Sequence, residues 1–318
     1  MRAHALFLTL SLAAVVAGMP LGAQQTTYQP IMASQILASQ LVSPTQADTS
    51  SQMTERERLH QSPDWALIVP HLPDPATASV ATLETEGDVL HARRFPEDAL
   101  DYYQYALKRG GDMTTLLNKM GVVRLEMHQT VLARALFQQC VHRSKKDSQA
   151  WNNMGAADYS QGQYQAAVLE YQHAVRLNRE DAVYRANLGM AYFAQDDMQS
   201  ARTQFAIAVR LDPRVMFADN DGGMTLLTLP TRDYGKLCFQ VAKLYAGQGD
   251  MAQTKLWLQK AAEHGINLHA ALSDDPEMRV LLKDSDIHML LVDTAKLQHR
   301  EGASAAPTQG PGNSSLQD

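Results

Sequence analysis

A 34-residue period constrains this chain more than any other feature. Gly155, Ala167, Tyr171 and Ala174 are followed 34 residues later by Gly189, Ala201, Phe205 and Ala208. Projected backwards, the same frame meets Gly121, Ala133, Phe137 and Cys140, and before them Gly87, Ala99, Tyr103 and Ala106. Four registers that agree at four columns are the self-similarity of a repeat array. A unit of this size cannot bury its own apolar surface, so the chain must stack its units side by side.

Within a unit, Ala167, Tyr171 and Ala174 are spaced by 4 and 3, which places them on one helix face. The glycine column sits on the preceding apolar segment, and Gln161-Gly162 between the two segments is a turn signal. The pattern therefore predicts helical hairpins. Small residues at Gly155 and Ala167 let the helices approach, and Tyr171 is expected to fill the gap against a neighbouring unit. The first unit should hold helices over 80–93 and 96–108, with Ser79 as N-cap and Pro96 at a helix start, where its missing N–H is no loss. The second spans 112–145, and units three and four span 147–179 and 181–213.

Trp151, Met154-Gly155, Gly162, Tyr164, Ala167, Tyr171 and Ala174, continued by Leu188-Gly189, Tyr192, Ala201, Phe205, Ala208 and Pro213, resemble the tetratricopeptide repeat family. The resemblance implies an all-α fold, a superhelical solenoid of about five helical hairpins with disordered N- and C-terminal tails. It also implies a concave groove lined by first-helix residues. By position these are Asn118, Lys119, Val122 and Leu125 in unit two; Asn152, Asn153, Ala156 and Tyr159 in unit three; and Ala186, Asn187, Met190 and Phe193 in unit four. The candidate peptide-binding residues among them are Asn118, Lys119, Asn152, Asn153, Tyr159, Asn187, Met190 and Phe193. Asn153 and Asn187 lie two residues before the marker glycine, where the family uses an amide to hydrogen-bond a bound peptide's backbone. An amide carries both donor and acceptor, so such a grip would be indifferent to the peptide's sequence. As surface groups, these two amides should be removable with little loss of stability. The competing reading is that Tyr159 and Phe193 pack between helices and that the asparagines fill positions. A carboxylate clamp is not expected, because Lys119 is the one cation in this set and Glu84, Asp88 and Glu126 share its surface.

After 213 the period breaks. Residues 214–230 form an irregular insertion containing Asp219-Asn-Asp-Gly-Gly223. It lacks the glutamate that a calcium loop of EF-hand type needs and is expected to be a solvated loop. A degenerate hairpin resumes over 231–265, with Ala242, Tyr245, Gly249 and Ala261 on the family columns. From Gly189 to Ala242 is 53 residues, 19 more than one period. Capping helices are expected over 266–299, the last one capped by Ser285 or Asp286, followed by a Gly/Ser/Pro/Gln-rich tail over 300–318 that is expected to be disordered.

At the other end, residues 1–23 read as a secretory signal: Arg2, an apolar core over 5–17, then Leu21-Gly22-Ala23 before the cut. An uncleaved signal anchor is the second possibility. Residues 24–60 are rich in Gln, Ser, Thr and Ala and are expected to be a disordered linker. Residues 61–78 carry Trp65 between prolines, a cap for the open end of the first unit. Cys140 and Cys238 fall on apolar helix faces in different units, and both are expected to be free.

The chemistry is as informative as the fold. A net charge of −6 without a dense basic patch argues against nucleic acid and anionic membrane as partners. No nucleophile elbow, phosphate loop, C-x-x-C or H-E-x-x-H motif is present. The expectation is an exported, periplasmic or secreted scaffold without catalytic residues, metal or cofactor. After signal removal it would keep no membrane span, and it would bind a protein or peptide, with envelope or secretion-complex assembly as the expected setting. The alternative is a structural or oligomerisation module whose groove is filled by another copy or by the chain's own N-terminal segment.

Overall fold

The computed structural model describes residues 53–216 and 231–304. Residues 1–52, 217–230 and 305–318, which hold the expected signal, most of the expected linker, most of the expected insertion and most of the expected tail, lie outside the described residues. Among the described residues there are fourteen α-helices and no strand.

Four hairpins follow the period. Hairpin one pairs α3 (Val80–Ala92) with α4 (Pro96–Lys108), and hairpin two pairs α5 (Met113–Glu126) with α6 (Thr130–Arg143). Hairpin three pairs α7 (Ser148–Ser160) with α8 (Tyr164–Leu177), and hairpin four pairs α9 (Ala182–Ala194) with α10 (Met198–Leu211). Every first helix begins at an oxygen-bearing cap. Ser79, Asp112, Asp147 and Asp181 accept hydrogen bonds from the backbone N–H groups of Thr82, Thr115, Ala150 and Tyr184. These satisfy donors that the helix start otherwise leaves orphaned.

The turns within the hairpins repeat one geometry with different residues. Arg94, His128, Gly162 and Asp196 occupy the same column, and all have positive φ, between 59° and 73°. In each, the N–H three positions past the last helical residue reaches back to a carbonyl in the helix's last turn: Phe95 to Leu90, Gln129 to Arg124, Gln163 to Asp158, Asp197 to Tyr192. This is the Schellman ending, which a left-handed residue makes possible. The backbone path is periodic even where the glycine is not.

The glycine column has a specific partner. A Cβ added at Gly87 or Gly189 would lie 2.5 Å from the ring of Tyr103 or Phe205, and at Gly155 2.9 Å from Tyr171. Phe137 crowds Gly121 in the same way. Each aromatic therefore packs across its own hairpin, 16 residues on from its glycine. The second helix of each hairpin then packs on the first helix of the next.

Hairpin five joins α11 (Thr231–Gln248) and α12 (Met251–Glu263) through Gly249, again at positive φ. Beyond it lie α13 (Leu268–Asp274), a 3-10 turn (Arg279–Lys283) and α14 (Ser285–Ser304). Lys243 ties this end together, 2.7 Å from Asp275 and 3.2 Å from Glu277, while Arg202 of α10 reaches Glu277 at 2.9 Å. The cap of α14 is neither Ser285 nor Asp286. Asp284 accepts from the backbone of Asp286 and Ile287. The helix also continues five residues past 299, into the stretch expected to be tail.

The opening of the chain holds a second departure. Residues 55–60, expected to be linker, form α1 (Glu55–His60), followed by α2 (Pro63–Ile68). Thr54 and Glu57 make a reciprocal capping box, with Glu57 bonded to the Thr54 backbone and side chain. These bonds hold the Glu57 carboxyl below the usual range. Arg56 then reaches Asp98 at 2.5 Å and Asp101 at 2.7 Å on hairpin one. His60 stacks on Trp65 at 3.9 Å, and Trp65 lies 5.0 Å from Phe95. Among the described residues, no helix is long and apolar enough to cross a membrane.

Candidate functional site

The first helices of hairpins two, three and four touch one another directly, which makes theirs the inner side of the stack. The candidate residues lie on it, but they are not free. Asn118, Asn152, Asn153 and Asn187 are only 5–8% exposed. Asn187 Nδ2 donates to Asn152 Oδ1 at 2.9 Å, Asn152 Nδ2 to Asn153 Oδ1 at 3.2 Å, and Asn153 Nδ2 to Asn118 Oδ1 at 3.0 Å. Four amides from three hairpins thus form one continuous chain.

The chain has a rule. A residue two before the marker glycine bonds a residue three before the preceding glycine, 35 positions earlier: Asn187 to Asn152, Asn153 to Asn118. Lys119 obeys it too, with its Nζ 2.9 Å from Glu84. The first rung is ionic and the next two are amides. The series stops at hairpin four, because Ala186 stands in the acceptor column and carries no polar group. The expectation that these amides are simple surface groups is corrected here. They stitch successive hairpins, and a buried amide stripped of its partner costs about 1–3 kcal/mol.

Lys119 is the centre of a charged cluster on hairpins one and two. Besides Glu84 it lies 2.7 Å from Asp88 and 5.8 Å from the Tyr103 ring centroid. Burial works against the ammonium, but hydrogen bonds to Asp88 and Glu84 outweigh it and raise its pKa. Tyr103 donates its hydroxyl to Asp88 at 2.8 Å. Burial and that carboxylate both raise the phenol's pKa. Alongside, His91 meets Glu126 at 2.9 Å.

The apolar candidates are buried as well. Tyr159 lies 5.2 Å from Tyr164 at the turn of its own hairpin. Its hydroxyl is pushed up by burial, with Tyr164 and then Asp233 adding to the effect. Phe193 is buried and Met190 is 1% exposed. The structure thus brings the four asparagines together, holds Lys119 one rung away in an ionic cluster, and places Tyr159, Met190 and Phe193 in the packed interior. A separate concavity of about 580 Å³ opens where α1 crosses the turn ends of hairpins one and two, lined by Arg56, His91, Glu97 and Glu126 among others. Its one sequence signal is Thr54-Glu-Arg-Glu57, the capping box that starts α1. Among the described residues, no cluster of three or more His, Cys, Asp or Glu is placed to hold a metal ion. Cys140 and Cys238 are both free and buried.

Paired antiparallel helices stacked along one period, with a Gly–aromatic contact inside each pair, define a tetratricopeptide-type α-solenoid. Residues 149–196 match the family model described as TPR repeat. Among solved structures, MamA from Desulfovibrio magneticus is similar at 18% identity, over 60% of this chain and 96% of that one, with a TM-score of 0.41. YrrB, described as a TPR protein with an unusual peptide-binding site, is similar at 17% identity, over 74% of this chain and 98% of that one, with a TM-score of 0.39. A thermophilic TPR protein of Thermus thermophilus is similar at 15% identity, over 69% of this chain and 100% of that one, with a TM-score of 0.43. No curated protein matches the chain.

Proposed function

We propose that this protein is a non-enzymatic scaffold that holds a peptide or protein segment along the inner face of its first helices. The asparagine chain Asn187–Asn152–Asn153–Asn118 is the observation that carries this reading. Each amide has two N–H donors and an oxygen with two lone pairs, and at Asn118, Asn152 and Asn153 the bonds of the chain engage at most one N–H and one lone pair. The same side chains can therefore align the hairpins and present regularly spaced polar groups to an extended strand, the mode in which main-chain bonds supply affinity. Lys119 would border that strand, while Tyr159, Met190 and Phe193 form the packed floor beneath it.

Residues 1–23 support a further part of the proposal, that the chain is exported and acts in the periplasm or outside the cell, with envelope or secretion-complex assembly as its setting. N-terminal sequencing of the chain from its host, with fractionation, tests this. A mature start at Gln24 supports export, and an intact Met1 in the cytosolic fraction sinks it.

The binding proposal is tested with a photo-reactive amino acid placed at Val122, half-buried on the inner side, and at Leu169, exposed on α8. Crosslinks to another polypeptide from Val122 and not from Leu169 support an inner-face binder; the reverse pattern rejects it. A self-occupied groove is favoured by one observation, the near-complete burial of Met190. In that case Val122 crosslinks only within its own chain or to a second copy.

A further inference from the structure

Between hairpins two and three lies a charged cluster that the proposed function does not use. Asp158 of α7 is fully buried and Glu170 of α8 nearly so, at 0% and 8% exposure. Arg134 of α6 donates from Nε to Asp158 Oδ1 at 2.5 Å, and from Nη2 to Glu170 Oε1 at 3.4 Å. The second oxygen of each carboxyl, Asp158 Oδ2 and Glu170 Oε2, is buried and meets no donor. One guanidinium faces two carboxyl groups. With both ionised, the site keeps a net negative charge away from water and two acceptors unsatisfied, each a severe cost. A single proton removes both faults, because it neutralises one carboxyl and becomes the missing donor.

We propose that Asp158 and Glu170 share one proton, and that this proton is a switch clasping α7 to α8 within hairpin three, beside their contact with Arg134 of hairpin two. Held, it leaves a neutral acid hydrogen-bonded to its neighbour and a balanced Asp158–Arg134 pair. Lost, it leaves two like charges facing each other on the hairpin whose first helix also carries Asn152 and Asn153. The rung from Asn153 to Asn118 starts on that same first helix, so loosening α7 from α8 loosens that part of the inner face.

The charged groups acting on the Glu170 carboxyl are Asp158 from α7 and Arg134 from α6. From α9, Tyr192 meets α8 at Gln172, and Arg185 is engaged with Gln204 of its own hairpin. Burial first, then Asp158, raises the Glu170 pKa against the opposing effect of Arg134. In the unfolded chain this glutamate ionises in the ordinary carboxylate range, while in the folded chain it keeps its proton to higher pH. Across that window the folded state binds one proton more than the unfolded state, so stability falls as pH rises.

The test compares the melting temperature of the full chain and of Glu170→Gln at about pH 5 and about pH 9, near the lower and upper ends of the window. The glutamine amide mimics the protonated acid, neutral and able to donate to Asp158. The expected result is that wild type loses several degrees between the two pH values, that Glu170→Gln loses distinctly less, and that it exceeds wild type at the alkaline end. Equal slopes for the two proteins overturn the proposal. Infrared spectroscopy of the wild type gives a reading that needs no folded variant. A protonated carboxyl stretch that persists at neutral pH and disappears on alkaline titration is expected, and its absence at neutral pH also overturns the proposal.

Discussion

Hairpins one to four and hairpin five reach the same architecture with different residues. In the first four a glycine lies against an aromatic ring: Gly87 and Tyr103, Gly121 and Phe137, Gly155 and Tyr171, Gly189 and Phe205. In hairpin five the corresponding positions, 53 further on, are Ala242 and Leu258, both fully buried. One side gains a methyl group and the other gives up a ring. The alanine column changes too, from Ala201 to Thr254, whose hydroxyl bonds the Asp250 carbonyl at 2.7 Å. The hairpin therefore requires a combined width across its two helices and not a particular residue at either column. Close packing permits such paired exchange and penalises single ones.

The largest test of that comparison removes a ring. Phe205→Ala should lower the unfolding free energy by about 3–5 kcal/mol through lost burial and a cavity. A loss under about 1 kcal/mol in denaturant titration would show that hairpin four tolerates the gap. Next comes Gly189→Ala, which drives a Cβ into the Phe205 ring and should cost about 1–3 kcal/mol. Adding Phe205→Leu recreates the pair of hairpin five and should return part of that loss. A double variant no more stable than the sum of its singles breaks the comparison.

Asn153→Ala should cost about 1–3 kcal/mol, because it leaves the Asn118 amide short of a partner. In hairpin five, Gln240 occupies the matching donor column opposite Ala186, which offers no side-chain acceptor. Gln240→Ala should fall within about 0.5 kcal/mol of wild type. Similar losses at both positions would mean that the rungs do not hold the stack. The smallest effect is at the turns. Asp196 has φ 65° where hairpin five has Gly249 at φ 77°. Asp196→Gly should raise stability by up to about 1 kcal/mol, and Gly249→Ala should lower it by about as much. Opposite signs in thermal melts support one shared turn geometry.

The hairpins were legible because their determinants are local. The start of α4 at Pro96, the turn at Gly162 and the resumption at Thr231 each follow from side chains within a few residues. The 53-residue displacement could be found by carrying the columns forward. What misled was composition. Residues 55–60 look like linker, yet Thr54 and Glu57 close a capping box and Arg56 finds Asp98, 42 positions away. The candidate site was half legible. The residue types and their place on the first helices followed from the period, but the pairing of Asn153 with Asn118 did not.

By itself, then, the sequence determined the repeat, the hairpins, the residues that share a helix face and the end of the strict period near 213. Those properties depend on spacings of 3, 4 and 34, which any stretch of the chain carries with it. Tertiary structure decided which faces meet. The rotation between successive hairpins sets the 35-residue rungs and spends the amides on one another. The same rotation brings Arg134 against Asp158 and Glu170, across 24 and 36 positions. That rotation is settled by the packing of whole helices against each other, and no local window of sequence encodes it.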